Sequence, residues 1–181
     1  MGTPAPPGQR RHATTDSRGT PRGFDVGALR VILAICSSIL RIGSVVTYQA
    51  KYYRDAEGYE PVSDFIDAME ESCQDSVDWK IGLLNKLSDS NPNLPFPHSS
   101  ALKGNKYRAF RELRADCGNT HYRLIFCRSG RFFILLHILY KNTGEISEGD
   151  KDIALARWED FKARMDATPR RPPRAMGHDA P

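Results

Sequence analysis

The sequence has 181 residues, which is enough for one domain with a modest core and some unstructured flanks. Its formal net charge is +4, yet residues 44–167 carry 17 Lys and Arg against 19 Asp and Glu. The basic excess therefore lies in residues 1–43 and 168–181, and the high isoelectric point does not by itself indicate a nucleic-acid-binding domain.

Charge is also divided within the middle of the chain. Residues 55–89 contain ten acidic residues and two lysines, whereas residues 101–141 contain nine basic residues and two acidic ones. This division predicts one face that suits an anionic partner and another that repels it. Scattered surface charge is the alternative interpretation.

The cysteines and histidines show no ligand pattern. Cys36, Cys73, Cys117 and Cys127 have neither CxxC nor Cys–His spacing, and the five histidines are scattered. We therefore predict a cytoplasmic protein with reduced, buried thiols, without a metal site and without a cofactor.

Residues 1–43 are predicted to be a disordered extension, because they begin rich in Pro, Gly, Thr and Arg without an apolar period. The apolar run between Arg30 and Arg41 has ten residues, too few to cross a bilayer. No small-x-small site follows it before Arg41, which disfavours a signal peptide. We expect a marginal helix, or a segment upstream of the start used in the cell, with Val45 or Val46 as an alternative start.

The domain is predicted over residues 44–167 and begins with a strand and two helices. Residues 45–54 are β-branched and aromatic, which predicts a strand. Pro61 suits the first position of a helix, and apolar residues recur with helical spacing as far as Met69. A capping box at 72–75 predicts the start of a second, acidic helix.

Three β-runs and a helix follow. Residues 106–114 alternate, 122–127 form a second run, and 131–141 are almost continuously apolar, which predicts a central strand buried on both faces. Turns are predicted at 116–119 and 129–130. The last helix is predicted from a capping box at 147–150 to about Ala167, with Ala154, Trp158, Phe161 and Met165 buried, and 168–181 is predicted to be a disordered tail.

This order of elements predicts an α+β fold. A helical hairpin would pack on a twisted, mainly antiparallel four-stranded sheet, and a C-terminal helix would follow.

Five segments in this order carry a resemblance to a known family. They are Tyr53–Ile66, Leu102–Gly104 (LKG), Arg111–Arg114 (RELR), Tyr122–Phe126 (YRLIF) and His137–Lys141 (HILYK). In combination they resemble the RelE/ParE/HigB superfamily of bacterial type II toxins, and look closest to its phage-derived HigB-like branch. The resemblance covers about residues 46–165.

The resemblance implies a RelE-like fold with a basic groove opposite the helical hairpin. It implies the toxin of a type II toxin–antitoxin system, a ribosome-dependent mRNA endoribonuclease that inhibits translation without a metal. The expected partners are mRNA on the ribosome and a cognate antitoxin with a helix-turn-helix domain, with no membrane. The alternatives are a ParE-like gyrase inhibitor and a catalytically degenerate phage-derived relative.

Metal-independent RNA cleavage needs an attack by the 2′-hydroxyl, stabilisation of charge on phosphorus and proton transfer. The catalytic candidates are Arg114, Arg123, Lys141 and Glu112. Arg114 and Arg123 stand on neighbouring strands, with Glu112 on the same face as Arg114. Arginine can bind two phosphoryl oxygens at once. Glu112 would be a base or would orient Arg114, unless the Glu–Arg pair only stabilises the sheet, by under about 1 kcal/mol.

The remaining site candidates are RNA contacts, namely Lys103, Lys106, Arg111, Tyr122 and His137. The best-studied RelE-type site has lysines on its first groove strand, where this chain has Phe110 and Glu112. It has a tyrosine in the last helix, where this chain has Ile153. Asn142 follows Lys141 at a position where a second basic residue is frequent. The general base of that branch therefore cannot be transferred to this chain.

Overall fold

The computed structural model describes residues 47–141, 144–167 and 176–181, so the predictions for residues 1–43 and for 168–175 lie outside them. The elements are β1 (Gln49–Tyr53), α1 (Pro61–Asp67), α2 (Glu71–Asn85), β2 (Ser99–Ala101), β3 (Phe110–Cys117), β4 (Thr120–Ser129), β5 (Phe132–Tyr140), α3 (Glu148–Asp166) and β6 (Met176–Asp179). None of these helices is both long and apolar enough to cross a membrane.

The strands form one six-stranded sheet in the order β2-β3-β4-β5-β1-β6. β3, β4 and β5 are antiparallel neighbours, while β1 runs parallel to β5. The α+β class, the mainly antiparallel sheet and the C-terminal helix are confirmed. The prediction of four strands is wrong, because β2 and β6 have only three and four residues and give no clear alternation.

Helices cover both faces of the sheet. α1 and α2 pack on one face with Val62, Val77 and Ile81 fully buried. α3 packs on the other face through Ala154 and Phe161. β5 lies between β4 and β1 and contributes side chains to both cores, which confirms the predicted central strand. The face expected to be an open groove is thus partly covered by α3.

The end of the chain joins the sheet. Met176–Asp179 pairs antiparallel with β1, which corrects the prediction of disorder throughout 168–181. The Asn85 amide then donates hydrogen bonds to the backbone oxygens of Ala180 at 3.2 Å and Pro181 at 2.6 Å. The order of this segment therefore depends on residues far away in the sequence.

The two predicted capping boxes have different outcomes. Ser147 caps α3, and its hydroxyl accepts a hydrogen bond from the backbone N–H of Asp150 at 3.1 Å, as predicted. The prediction for Ser72 is wrong, because α2 begins at Glu71, after an N-cap residue, Glu70, that makes no side-chain capping bond.

Cys73 of α2 and Cys117 at the end of β3 form a disulfide, with their Cα atoms 5.3 Å apart. The prediction of reduced thiols is therefore wrong for this pair. Cys127 is a free, buried thiol, and burial raises its pKa to about 11. Disulfides persist mainly in oxidising compartments, so cysteine usage no longer supports a cytoplasmic location, which stays a prediction.

Removing this disulfide should lower the free energy of unfolding. The two cysteines are 44 residues apart in sequence. A cross-link of that span reduces the conformational freedom of the unfolded chain and contributes about 2–4 kcal/mol to the free energy of unfolding. Urea denaturation with and without dithiothreitol measures the loss in the wild type. The Cys73→Ser/Cys117→Ser variant should match the reduced protein and not respond to dithiothreitol, whereas Cys127→Ser should still respond. Equal wild-type stability under both conditions would contradict the assignment.

Candidate functional site

The β3–β4 hairpin arranges the candidate side chains in two cross-strand rows. Arg114 pairs with Arg123, and Asp116 pairs with His121. The residues that alternate with them pack against α1 and α2. Because successive side chains point to opposite faces of a sheet, these four lie on the face that carries α3.

The turn that closes this hairpin is tighter than predicted. The sequence predicted a turn over 116–119, whereas β3 continues to Cys117 and two residues reverse the chain. Gly118 has a φ of +56°, the left-handed conformation that such a turn requires. Asp116 and His121 therefore belong to paired strands rather than to a loop.

Glu112 is the buried carboxylate around which the arginines are arranged. Its Oε1 accepts hydrogen bonds from Arg114 Nε at 2.8 Å, from Arg114 Nη2 at 2.6 Å and from Ser100 Oγ at 2.7 Å. Burial alone would raise the pKa of Glu112, but these hydrogen bonds and the charges of Arg114 and Lys141 hold it below its usual range. The carboxylate is therefore ionised at neutral pH but only weakly basic, and its Oε1 is occupied by Arg114 and Ser100, which suits positioning of Arg114 better than uptake of a proton.

Arg114 is the more accessible of the two paired arginines. Its side chain is 26% exposed, and Nη2 also donates to Ser100 Oγ at 3.0 Å. The guanidinium lies 5.1 Å from the ring centre of Phe96, an exposed side chain in the segment before β2. Arg114 is thus held on one side by Glu112 and still reaches solvent.

Arg123 is held more tightly by its surroundings. Its side chain is only 11% exposed, and Nη1 donates to the backbone oxygen of Tyr122 at 2.7 Å and to Asp116 Oδ1 at 3.5 Å. Its Nε lies 3.8 Å from Glu112 Oε2 and has no hydrogen-bond partner within the described part of the chain. Arg123 therefore bridges two carboxylates of β3.

A pocket of about 210 Å³ opens beside Glu112 and Arg114, and residues from β2, β3 and the first turns of α3 line it. Its charged lining consists of Lys103, Arg114, Lys141, Lys151, Glu112 and Glu145. Four cations against two carboxylates leave an excess of positive charge. Such an excess in a concave site attracts phosphate oxygens.

Lys141 connects the pocket to the second cross-strand row. Its backbone N–H donates to the backbone oxygen of His121 at 2.7 Å, while its side chain lines the pocket. The ion pairs of the pocket join Lys103 to Glu145 and Arg114 to Glu112, and Lys141 belongs to neither. Its ammonium is therefore a cation that these two carboxylates leave available.

Lys151 is a pocket residue that the sequence interpretation missed. It is only 6% exposed, and its ammonium lies 3.5 Å from Glu148 Oε1 and 5.4 Å from the ring centre of Tyr107. It extends the buried stripe of Ala154 and Phe161 by one turn towards the start of α3. A lysine at such a position of an apolar stripe was the signal that could have identified it.

The two lysines predicted as phosphate contacts have different positions. Lys103 lines the pocket and forms an ion pair with Glu145. Lys106 does not line it, and its ammonium lies 2.7 Å from Asp152 Oδ1, an interaction that raises the pKa of Lys106. Both side chains are exposed.

His137 lies on the site face but is enclosed between β5 and α3. Its Nε2 is 3.0 Å from Asp150 Oδ1, and its Nδ1 is 3.3 Å from Arg157 Nη1, which also donates to the Leu136 backbone oxygen at 2.7 Å. Since arginine only donates, Nδ1 is the acceptor and Nε2 carries the proton. Burial and the Arg157 charge lower the pKa of His137 although Asp150 raises it. His137 is thus a neutral link to α3 outside the pocket.

Arg111 and Tyr122 lie on the opposite face of the sheet. Arg111 donates hydrogen bonds to Ser99 Oγ and to the Leu94 backbone oxygen, each at 3.2 Å. Tyr122 is buried, with its ring centre 5.1 Å from that of Tyr140. The structure does not bring either residue to the pocket, because both alternate with residues of the site face.

Asp116 and His121 form a second feature that the sequence interpretation missed. Asp116 Oδ1 is 2.6 Å from His121 Nδ1 and 3.5 Å from Arg123 Nη1. Burial alone would raise the pKa of Asp116, but the hydrogen bond with His121 and the charge of Arg123 hold it below its usual range. A sequence prediction of a two-residue turn at Gly118, in place of the longer turn over 116–119, would have placed Asp116 and His121 opposite each other.

Among the described residues, no group of three or more His, Cys, Asp or Glu side chains could hold a metal ion.

Two of the positions that differ from the best-studied toxins, Phe110 and Ile153, are apolar here. Phe110 is buried in the core beneath α3, with its ring centre 6.4 Å from that of Trp158. Ile153 is 43% exposed on α3. Asn142 lies outside the described residues. Neither Phe110 nor Ile153 can transfer a proton, so these two positions offer no counterpart to the proton-transferring residues of the best-studied toxins.

The chain matches the family described as Phage derived protein Gp49-like (DUF891) over residues 64–159. This match covers more than half of the chain and includes every residue that lines the pocket. A search of curated proteins finds no match. The chain therefore belongs to the phage-derived Gp49-like family, which is part of the RelE/HigB-like toxin group.

Proposed function

We propose that this protein is the toxin of a type II toxin–antitoxin system, an endoribonuclease that cuts mRNA on the ribosome and so inhibits translation. Membership of the Gp49-like family supports a RelE/HigB-like toxin. The observation that carries the proposal is the pocket, where Arg114, Lys141 and Lys151 converge beside the buried carboxylate of Glu112.

In this proposal a phosphate of the mRNA occupies the pocket. The guanidinium of Arg114 and the ammonium groups of Lys141 and Lys151 stabilise the charge that develops on the phosphoryl oxygens. Arg114 makes the direct contact because it is the more exposed arginine. Arg123 fixes the site instead, by holding the carboxylates of Glu112 and Asp116.

The positions of the other five predicted RNA contacts decide which of them keep that role in the proposal. Lys103 and Lys106 are exposed cations, and they position the RNA through its backbone charge. Arg111, Tyr122 and His137 have no RNA contact in this proposal, because the first two lie on the opposite face and the third is enclosed beneath α3.

A cognate antitoxin is the second proposed partner. The relation to the RelE/HigB-like group supports it, and the resemblance to the HigB-like branch favours an antitoxin with a helix-turn-helix domain. Co-expression with the adjacent reading frame should abolish growth inhibition and yield a complex that co-purifies. A neighbour that neither binds the protein nor relieves growth inhibition would contradict this partner.

Arg114→Ala should lower mRNA cleavage by about 10²–10³-fold, because it removes a preorganised donor to the phosphoryl oxygens. Arg114→Lys should recover only part of the activity, since lysine lacks the two-pronged donor. Primer extension on cellular mRNA after induced expression measures cleavage. Arg128→Ala is the matched control, because it removes the same charge from β4 where the guanidinium lies 4.4 Å from the Tyr48 ring centre.

If wild-type expression left translation and mRNA intact, the proposed nuclease would be refuted. DNA damage that depends on gyrase would then support the ParE-like alternative, and an absence of any growth effect would support a degenerate toxin.

Lys151→Met should weaken RNA binding and reduce the slope of log affinity against log salt by about one, because one phosphate-contacting charge is lost. Methionine keeps much of the apolar stem, so the fold should be retained. Fluorescence anisotropy of a labelled single-stranded RNA in increasing KCl measures both quantities. Lys162→Met removes an exposed lysine from the same helix and should leave the slope unchanged. Equal slopes for the two variants would exclude Lys151 from the contact.

Glu112→Gln should lower the cleavage rate by the same factor at every pH, because Glu112 positions Arg114 and does not take up the proton. If Glu112 were the general base, its replacement by Gln would instead remove the rise of the rate with pH.

The pH dependence of stability gives a second measurement of the role of Glu112. Because folding lowers the pKa of Glu112, its ionisation stabilises the fold above about pH 4.3, the usual value for glutamate. The wild-type advantage in free energy of unfolding over Glu112→Gln should therefore shrink below that pH.

A further inference from the structure

We propose that His121 is the catalytic residue that takes the proton from the attacking 2′-hydroxyl, and that Asp116 is its positioning residue. This inference rests on the proposed ribonuclease function, whose earlier candidates offer no solvent-exposed proton acceptor. Glu112 is buried, with Oε1 occupied by Arg114 and Ser100 and Oε2 3.8 Å from Arg123 Nε. His137 is enclosed by Asp150 and Arg157.

His121 has the required position. It lies on the site face, one cross-strand row beyond Arg114 and Arg123, which is roughly 7 Å along the strands. Lys141 lies beside it, because the Lys141 backbone N–H donates to the His121 backbone oxygen at 2.7 Å. A phosphate in the pocket and a ribose at His121 would therefore be neighbouring parts of one RNA strand.

His121 also has the required access. Its side chain is 49% exposed, in contrast to the enclosed His137 at 15%. Asp116 occupies Nδ1 at 2.6 Å. The second ring nitrogen, Nε2, lies on the other side of the imidazole, and among the described residues it makes no hydrogen bond.

Asp116 determines which nitrogen of the neutral ring accepts a proton. Its pKa is held below the usual range, so the carboxylate is ionised and accepts the Nδ1–H of His121. Nε2 then carries the free lone pair. Carboxylates orient an imidazole and fix its tautomer in the same way in other catalytic sites.

Three charged groups face His121 from the elements around it. Asp116 lies across from it on β3, Arg123 follows on its own strand, and Lys141 follows β5. Arg123 Nη1 also lies 3.5 Å from Asp116 Oδ1, so it keeps that carboxylate ionised. One anion thus orients the imidazole, while Lys141 also lines the pocket proposed for the phosphate.

The proposed step balances without a further reactant besides water. The 2′-O–H bond breaks and its proton moves to Nε2 of His121, while the 2′-oxygen forms a bond to phosphorus. The bond from phosphorus to the 5′-oxygen breaks, which leaves a 2′,3′-cyclic phosphate on one fragment. The departing 5′-oxygen takes a proton from water, and the imidazolium later returns its proton to the solvent.

The test is cleavage of a labelled mRNA in a reconstituted translation reaction between about pH 5 and 8, the range in which imidazole side chains change charge. His121→Gln should lower the rate by about 10²-fold or more and remove the rise of the rate with pH. Asp116→Asn should lower the rate by up to about 10⁴-fold, the effect of the same change in a Ser-His-Asp triad, because the imidazole loses the carboxylate that fixes its tautomer. The remaining rate should still rise with pH, since the imidazole is present. Binding of a labelled single-stranded RNA should change by less than about twofold in both variants.

His98→Gln is the matched control, because its imidazole contacts Lys80 at 2.9 Å and lies outside the proposed machinery. Thermal melting should show that all variants fold, which the exposure of His121 favours. His121→Gln with a wild-type rate and pH profile, or with RNA binding lost in proportion to the rate, would overturn the role of His121 and leave the nuclease proposal intact. A wild-type protein that cleaves no mRNA would overturn both.

Discussion

The site depends on one buried carboxylate between two arginines. Arg114 and Arg123 stand directly opposite each other on neighbouring strands, an arrangement of like charges that is unfavourable by itself. Glu112 is 5% exposed and accepts two hydrogen bonds from Arg114, while Arg123 lies between it and Asp116. The two anions therefore allow two cations to share a small area. The arrangement leaves Arg114 accessible and Arg123 enclosed, which gives the two residues different roles.

The position of α3 decides where the remaining site can form. The helix covers the centre of the site face and leaves the pocket open beside its first turn. The contacts from His137 to Asp150 and Arg157 hold α3 against β5. The same first turns bring Lys151 to the pocket. His137, which was predicted as an RNA contact, thus joins β5 to α3, and a helix predicted only as packing contributes Lys151 to the pocket lining.

The opposite face combines acidic charge with a covalent link. α1 and α2 cover the core on this face, and the segment 55–89 that contains both helices carries ten acidic residues and two lysines. The disulfide joins α2 to the end of β3 at Cys117, one residue from Asp116. The end of the hairpin that presents His121 is therefore held from behind by the helical face.

The sequence by itself determined the elements with long patterns and the residues near Glu112. The apolar run of β5, the stripe of α3 and the alternation around Arg114 were predicted because each pattern is local. Short elements such as β6, and the Cys73–Cys117 pair, depend on contacts between distant segments, which no spacing reveals. The same contrast between local patterns and distant contacts explains which site residues could be predicted. Period two placed Glu112 beside Arg114, but only the turn at Gly118 brought Asp116 opposite His121, and only the packing of α3 brought Lys151 to the pocket.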